Sequence, residues 1–152
     1  MKVVLYTSFQ KYFEKLRAGL DTSYRFYADD WDIQSHTFKL AWRQRIGENW
    51  VLAPFARYYR QSAAEFYRLT LDGTGIDPHS AFDSADGPHY SADYRLSKME
   101  TTTIGIKANW FIGKDWKIDL AYEVYNMEGL DNTPAAAYLT AKTYTIGISH
   151  EF

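Results

Sequence analysis

The sequence YTIGISHEF at residues 144–152 decides the fold class, because its side chains alternate in character along the chain. One face carries the large side chains Phe152, His150, Ile148, Ile146 and Tyr144. The other face carries the small or polar side chains Glu151, Ser149, Gly147 and Thr145. Successive side chains of a β-strand point to opposite faces, so a period of two predicts a strand with one apolar side.

A strand that closes a chain on an aromatic residue resembles the last strand of a Gram-negative outer-membrane β-barrel. The resemblance implies that the apolar face meets outer-membrane lipid and that the polar face lines the barrel interior. It also implies that the barrel assembly machinery recognises this strand as an assembly signal. The residues of that signal are Tyr144, Ile146, Ile148 and Phe152.

Composition narrows the class of protein. A chain of 152 residues corresponds to one domain, and no apolar run approaches the roughly 20 residues of a transmembrane helix. This length criterion does not apply to transmembrane barrels, because only every second residue of their strands faces lipid. The absence of cysteine excludes thiolate metal sites, disulfides and cysteine nucleophiles, and a net charge of −2 suggests no nucleic-acid partner. An aromatic content of 18% fits a soluble β-sandwich equally well.

Six further segments alternate in the same way and are separated by turn-forming residues. The predicted strands cover residues 2–12, 17–28, 36–46, 50–61, 101–112, 116–126 and 141–152. Short turns fall near 14–15, 47–49 and 113–115, whereas long loops fall at 29–35, 62–97 and 128–140. Short turns at one end and long loops at the other are typical of outer-membrane barrels. The sequence therefore predicts an all-β fold, a single antiparallel up-and-down transmembrane β-barrel domain over residues 1–152, with a long extracellular excursion at 62–97. Within this excursion we expect residues 62–67 and 90–97 to extend the neighbouring strands into a tall hairpin.

Aromatic residues on the apolar faces gather near the short turns. This predicted membrane-interface girdle consists of Trp42, Trp50, Trp110, Trp116 and Phe152. A second girdle toward the long loops would consist of Tyr24, Phe26, Tyr58 and Tyr122. Tryptophan and tyrosine rings are enriched where a membrane meets water, whereas a soluble core has no reason to sort tryptophan to one rim. The distribution favours a membrane protein over a soluble one.

The opposite faces carry charges of both signs. The predicted lumen-facing charges are Lys39, Arg43, Arg45, Arg57, Lys107, Lys117, Asp119 and Glu123. Such a face suits a hydrated lumen or a network of ion pairs, and it equally suits the solvent-facing side of a soluble sheet. Pro54 lies inside the predicted strand 50–61, and because proline cannot donate a ladder hydrogen bond we expect a bulge or an irregular ladder there.

Several stretches resemble a proteobacterial outer-membrane barrel family known only as a domain of unknown function. They are residues 24–31 (YRFYADDW), 35–37 (SHT), 57–64 (RYYRQSAA), 66–67 (FY) and 91–97 (SADYRLS). The resemblance implies a barrel and assigns no catalytic residues. Members of that family are longer, so it also implies that this chain is a C-terminal part. An odd count of seven strands agrees with that expectation. The residues after Met1 do not form a signal peptide, because Tyr6 and Ser8 break the apolar run, so we expect either a mature chain or a piece of a longer one.

Two groups of residues invite chemical hypotheses. Ser35 and His36, with Asp32 nearby, would lie at the outer rim, where a lipid hydrolase would meet its substrate. The excursion from Asp72 to His89 is acidic, but its spacing does not match the twelve-residue calcium loop and favours a solvated loop. No phosphate-binding loop, zinc signature or nucleotide fingerprint is present, so we expect no metal and no cofactor.

The leading functional prediction is a non-enzymatic outer-membrane role, either a porin-like passive pore or a scaffold that contacts other outer-membrane or extracellular proteins through its long loops. One alternative is an outer-membrane lipid-modifying enzyme that uses rim residues near His36. Another is a soluble ligand-binding barrel, whose tryptophan-bearing face would point inward.

Overall fold

The computed structural model describes residues 1–72 and 90–151. Each predicted strand is present, and its ends differ from the predicted ones by at most three residues. The strands are β1 (Val3–Phe13), β2 (Ala18–Ala28), β3 (Gln34–Ile46), β4 (Trp50–Gln61), β5 (Met99–Ile112), β6 (Trp116–Gly129) and β7 (Thr140–His150). Three single-turn 3₁₀ segments lie at Glu14–Leu16, Tyr94–Leu96 and Ala135–Ala137. No helix in the described part of the chain is long and apolar enough to cross a membrane.

All seven strands form one sheet in the order β1 to β7, and each strand is antiparallel to the next. The predicted antiparallel up-and-down topology is therefore confirmed. Among the described residues no ladder joins β1 to β7, so the sheet formed by these residues is open and has two edges. The transmembrane placement of this sheet stays a prediction.

The short connections are built from residues with left-handed backbone. Gly47 (φ 59°) and Gly113 (φ 64°) begin the β3–β4 and β5–β6 turns, where glycine adopts positive φ without steric cost. The β1–β2 turn ends on Arg17 (φ 48°), whose amide donates to the Glu14 carbonyl at 2.9 Å. These three connections mark the short-turn end of the sheet. The opposite, long-loop end holds the β2–β3, β4–β5 and β6–β7 connections.

Pro54 interrupts one ladder without inserting a residue. On the β3 side, Ala41 pairs with Phe55 and Gln44 pairs with Leu52, and the two positions between them are unpaired. The register is the same on both sides of this gap, so the site is an irregular ladder position and not a bulge. On the β5 side, Pro54 keeps its place opposite Ile106.

The register places every strand's alternate residues on two continuous faces. The apolar face contains Trp42, Trp50, Ile106 and Trp116, and the polar face contains their sequence neighbours. The apolar side chains on this face are not covered: Ile146 is 75% exposed and Ile104 is 61% exposed. Within the described residues, the buried apolar side chains are few, namely Ala18, Ile33, Ala64 and Met99. The fold therefore has no conventional hydrophobic core in this part of the chain.

Most of the buried polar side chains lie on the polar face at the long-loop end, where loop segments fold over the sheet. They are Ser35, Thr37, Gln61, Thr101 and Thr103. We predicted that residues 62–67 and 90–97 extend β4 and β5 into a tall hairpin, and this prediction is wrong. The two segments meet in an isolated parallel bridge between Tyr67 and Ser91 and in a backbone hydrogen bond from the Ala64 amide to the Leu96 carbonyl, and the 3₁₀ turn Tyr94–Leu96 lies in the second segment. The buried Gln61 side chain donates to carbonyls of the second segment and holds it across the sheet end.

Candidate functional site

A cavity of about 700 Å³ lies on the polar face. Side chains from all seven strands line it, including Tyr6 from β1 and Thr143 from β7. Residues from both edge strands can reach one cavity only if the sheet curves toward its polar face. The curvature places charged side chains from separate strands around a common space, and the apolar face lies on the outside.

The eight predicted lumen-facing charges all lie on this polar face. Cross-strand neighbours on it include Lys39 opposite Arg57, and Asp119 opposite Asn109. The cavity itself is lined by Lys39, Arg43, Arg57, Lys107 and Glu123, together with Asp21. The remaining predicted charges, Arg45, Lys117 and Asp119, share the face nearer the short-turn end.

Toward the short turns, the charges of the polar face are paired. Arg43 Nη2 donates to Asp21 Oδ2 at 3.1 Å, and Lys117 Nζ lies 3.1 Å from Asp119 Oδ2. Asn109 donates a further, short hydrogen bond to Asp119. Arg45 Nη2 donates to the Glu48 carbonyl at 2.9 Å. Of these contacts, Arg43–Asp21 is an ion pair between neighbouring strands, whereas Lys117–Asp119 lies within β6.

Three further cations of the cavity lining, Lys39, Arg57 and Lys107, have no ion-pair partner among the described residues. Lys39 and Arg57 lie directly opposite each other on β3 and β4, an arrangement of like charges that destabilises a sheet. Within residues 1–72 and 90–151, no ion pair involves Lys39, Arg57 or Lys107. The Nε atom of Arg57 is shielded from solvent and has no hydrogen-bond partner. A buried donor of a charged group that is left unpaired costs free energy, so a hydrogen-bond acceptor bound beside Arg57 Nε would be stabilising.

An aromatic ring forms part of the wall beside these cations. The Phe55 ring lies across Gly105, where a Cβ atom would come within 2.7 Å of the Phe55 Cζ atom. Lys107 Nζ lies 5.5 Å from the centre of the same ring. The missing side chain at Gly105 thus leaves room for the Phe55 ring, and the ring gives the cavity a wall of low polarity beside the cationic groups.

The four predicted girdle tryptophans lie on the apolar face, close to the short turns, and they contact large rings on other strands. The Trp50 and Trp110 rings stack at 5.3 Å with an angle of 2° between their planes. Trp42 packs against Phe13 at 5.6 Å, and the Trp116 ring lies 4.3 Å from the His150 ring. Phe152, which completes the predicted girdle, lies outside the described residues. The role of these five aromatic residues at a membrane interface stays a prediction.

The assembly-signal residues that the structure describes are all strongly exposed. Tyr144, Ile146 and Ile148 lie on the apolar face of β7, opposite Tyr122, Leu120 and Ile118. Their exposure follows from two circumstances: β7 is an edge strand among the described residues, and nothing in this part of the chain covers the apolar face. Recognition of this strand by the barrel assembly machinery stays a prediction.

Hydrogen bonds hold the loop segments at the long-loop end of the polar face. Gln61 Nε2 donates to the carbonyls of Arg95 at 2.9 Å and Ser97 at 2.8 Å, and the Ser97 and Tyr138 hydroxyls lie 2.8 Å apart. Asp93 accepts the Arg95 amide at 3.0 Å and the Arg95 Nε at 2.9 Å. The hydrogen bonds from the Arg95 side chain and amide lower the pKa of Asp93.

The predicted rim arrangement of Ser35, His36 and Asp32 is not formed. β3 begins at Gln34, two residues earlier than predicted, so Ser35 and His36 point to opposite faces. Ser35 is buried on the polar face, while His36 Nδ1 lies 2.8 Å from the Tyr24 hydroxyl on the apolar face. Asp32 lies in the β2–β3 connection with a φ of 61°. A serine nucleophile and its base must be within hydrogen-bond reach, which these faces prevent.

Metal ligation has no support in the part of the chain that the structure describes, where no group of three or more histidine and acidic residues could hold an ion. The acidic excursion, with Asp77, His79, Asp83, Asp86 and His89, lies outside the described residues, and only Asp72 of that stretch is included.

A family model described as "Protein of unknown function (DUF3570)" matches residues 1–146. The chain belongs to this family. The match agrees with the predicted resemblance to a family of unknown function, and it assigns no activity to the chain. Neither the curated proteins nor the solved structures include a match.

Sequence reasoning missed two parts of this site. It treated Arg57 as one charge among several, because only the curved sheet shows that its Nε is buried without a partner. It also missed the capping role of Gln61, whose sequence neighbourhood offers no signal, since its acceptors are the carbonyls of Arg95 and Ser97 far along the chain. Gly105 carried a weak signal, because an isolated glycine in a strand often marks a close approach.

Proposed function

We propose that the chain contributes seven strands to an outer-membrane β-barrel whose polar face lines a hydrated interior, and that its role is non-enzymatic passive transport of solutes. The observation that carries the proposal is the broad apolar face, interrupted on the edge strands by Lys11 and Lys142, that nothing in the described residues covers. Leu5 is 62% exposed and Ile148 is 67% exposed on that face. A water-exposed apolar surface of this extent marks a binding or membrane surface.

The dimensions of the apolar face support a membrane location. On β4 its apolar residues run over nine positions, from Trp50 to Tyr58, before Arg60 follows. Glu100 and Glu128 lie next to Arg60 in the same cross-strand row and end the apolar band on β5 and β6. A tilted transmembrane strand needs roughly 9–11 residues, so the band has the height of a bilayer's hydrocarbon layer.

The direction of the tryptophan-bearing face bears on the soluble alternative. A soluble ligand-binding barrel would turn Trp50, Trp110 and Trp116 inward, whereas here the polar residues line the cavity and these three rings lie on the outside. Their exposed fractions of 37–49% would be costly in water and are ordinary at a membrane interface. This orientation favours the membrane proposal.

A scaffold role is the second candidate, and the ordered long-loop end favours it. Trp31 packs edge-on against Phe66 at 5.7 Å, and the Tyr67 and Thr133 hydroxyls lie 2.6 Å apart. These contacts join all three long connections into one surface, which other outer-membrane or extracellular proteins would meet first. The enzyme alternative near His36 has no comparable support, because Ser35 lies on the other face.

Gel mobility with and without boiling tests the proposal first. The chain is refolded into detergent micelles and run on an SDS gel with and without boiling, because a closed barrel resists SDS until it is heated. Mobility that changes on boiling, followed by stepwise currents in a planar lipid bilayer, is the expected result. A folded chain that stays in solution without detergent would refute the membrane proposal. Aggregation without a mobility change would indicate that these strands need the remainder of a larger barrel.

A further inference from the structure

We propose that the cavity on the polar face contains a binding site for a small oxyanion, a solute that carries carboxylate or phosphate groups, formed by Lys39, Arg57 and Lys107. The inference rests on the proposed function, since it names the class of solute that the barrel interior would take. Its evidence is the unneutralised charge, the unpartnered Arg57 donor and the shape of the cavity wall.

Charge is the first argument. The described cavity lining holds four cations, Lys39, Arg43, Arg57 and Lys107, and two acids, Asp21 and Glu123, which leaves a formal net charge of +2. Asp21 is already engaged by Arg43 at 3.1 Å and by Gln10 at 3.2 Å. Of the two acids, only Glu123 remains to oppose three free cations, and none of these cations lies within ion-pair distance of it in the described structure.

The Arg57 side chain supplies the second argument. Arginine presents a planar fork of donors that matches a carboxylate or phosphate in a bidentate way. Its Nε is shielded and unpaired, and the side chain of Lys39 lies directly across on the neighbouring strand. An oxyanion between the two strands would satisfy the Nε donor and would relieve the repulsion between these two like charges.

The cavity wall is the third argument. The Phe55 ring lies over Gly105, and its centre is 5.5 Å from Lys107 Nζ, so an apolar surface borders the cationic group on one side. Thr103, which is buried opposite Arg57, offers a neutral hydroxyl in the same row. Charge interactions strengthen where the surrounding dielectric is low, so an anion would be held more firmly here than at the open rim of the sheet.

The test is calorimetric titration of the chain refolded in detergent micelles at low salt, with sodium pyrophosphate and sodium succinate as separate probes. We expect binding of at least one probe, at least tenfold weaker in Arg57→Gln and Lys39→Gln. Arg57→Lys keeps the charge but loses the fork, so its affinity should lie between those of the wild type and Arg57→Gln. Lys114→Gln is the matched control, because it removes the same charge from the β5–β6 turn, outside the cavity lining.

The two probes distinguish the solutes, since stronger binding of pyrophosphate points to phosphate groups and stronger binding of succinate to carboxylates. Each variant is first tested for the same change in gel mobility on boiling as the wild type shows. If Arg57→Gln does not fold, Arg57→Lys replaces it as the variant that tests the site. Equal affinity in Arg57→Gln and the wild type would overturn the site, as would equal loss in Lys114→Gln or no binding to a folded wild type. A chain that binds the anion but carries no bilayer current would refute transport and retain the site.

Discussion

Replacing Ile104 by arginine places a charge inside the apolar band and separates a lipid-facing surface from a water-facing one. Ile104 lies on β5 between Ala56 and Val124, four residues from Glu100 at one limit of the band and six from Trp110 at the other. It is 61% exposed, so an arginine fits without a steric clash. The energetic outcome therefore depends mainly on what surrounds the face.

In lipid, arginine costs about 2–4 kcal/mol at the midplane of a barrel wall and about 0–1 kcal/mol near the interfaces. Ile104 lies well inside the apolar band, between its midplane and its edge. We therefore expect Ile104→Arg to lower the free energy of unfolding by about 2 kcal/mol, or roughly thirtyfold in the folding equilibrium. In water, the same exposed substitution would change stability by no more than about 0.5 kcal/mol.

The measurement is urea unfolding of the chain refolded into lipid vesicles, followed by tryptophan fluorescence. Thr102→Arg is the control: it lies on the same strand and face, but next to Glu100 at the limit of the band, and should cost less than about 1 kcal/mol. Equal stability of the Ile104→Arg and wild-type chains, measured with unchanged slopes against urea, would refute the assignment of this face to lipid.

Two further predictions concern packing and the loops. Gly105→Ala places a Cβ 2.7 Å from both the Phe55 ring and a backbone carbonyl, so we expect the free energy of unfolding in urea to fall by about 1–3 kcal/mol. Gly19→Ala is the control and should cost much less, because no atom lies within 4 Å of its Cβ position. Similar losses in the two variants would contradict the packing of Phe55 on Gly105. Arg95 lowers the pKa of the Asp93 carboxyl, so the Asp93–Arg95 contact stabilises the loop fully at pH values above the ordinary carboxylate pKa. This stabilisation is lost as the pH falls through the lowered pKa of Asp93. An NMR titration of the Asp93 carboxyl should therefore show a midpoint that rises in Arg95→Gln, and an unchanged midpoint would contradict the contact.

Much of the fold follows from local features of the sequence. Alternation predicted seven strands and their two faces, because the side-chain period of a strand is set by the backbone alone. Gly47 and Gly113 predicted turns for an equally local reason, since glycine adopts positive φ readily. Even Trp50 and Trp110 were assigned correctly to one face, although their stacking depends on the register between β4 and β5.

The predictions that failed concern contacts between segments distant in sequence. The predicted tall hairpin gave way to segments folded across the sheet, because Ala64 donates to the Leu96 carbonyl at 2.9 Å and Gln61 binds carbonyls of the same segment. The rim site failed because the Gln34 amide donates to Ser62 Oγ at 2.8 Å, which continues the extended backbone of β3 through Ser35. Neither partner can be inferred from the local pattern.

The sequence by itself determined the class, number and sidedness of the strands, because periodicity and turn chemistry are properties of neighbouring residues. Only the tertiary structure decided which charges are neutralised. Curvature of the sheet brings Lys39, Arg57 and Lys107 to one cavity, pairs Arg43 with Asp21 outside that group, and buries the Arg57 Nε without an acceptor. These relations depend on the register and bending of strands far apart in the chain, and a one-dimensional pattern carries neither quantity.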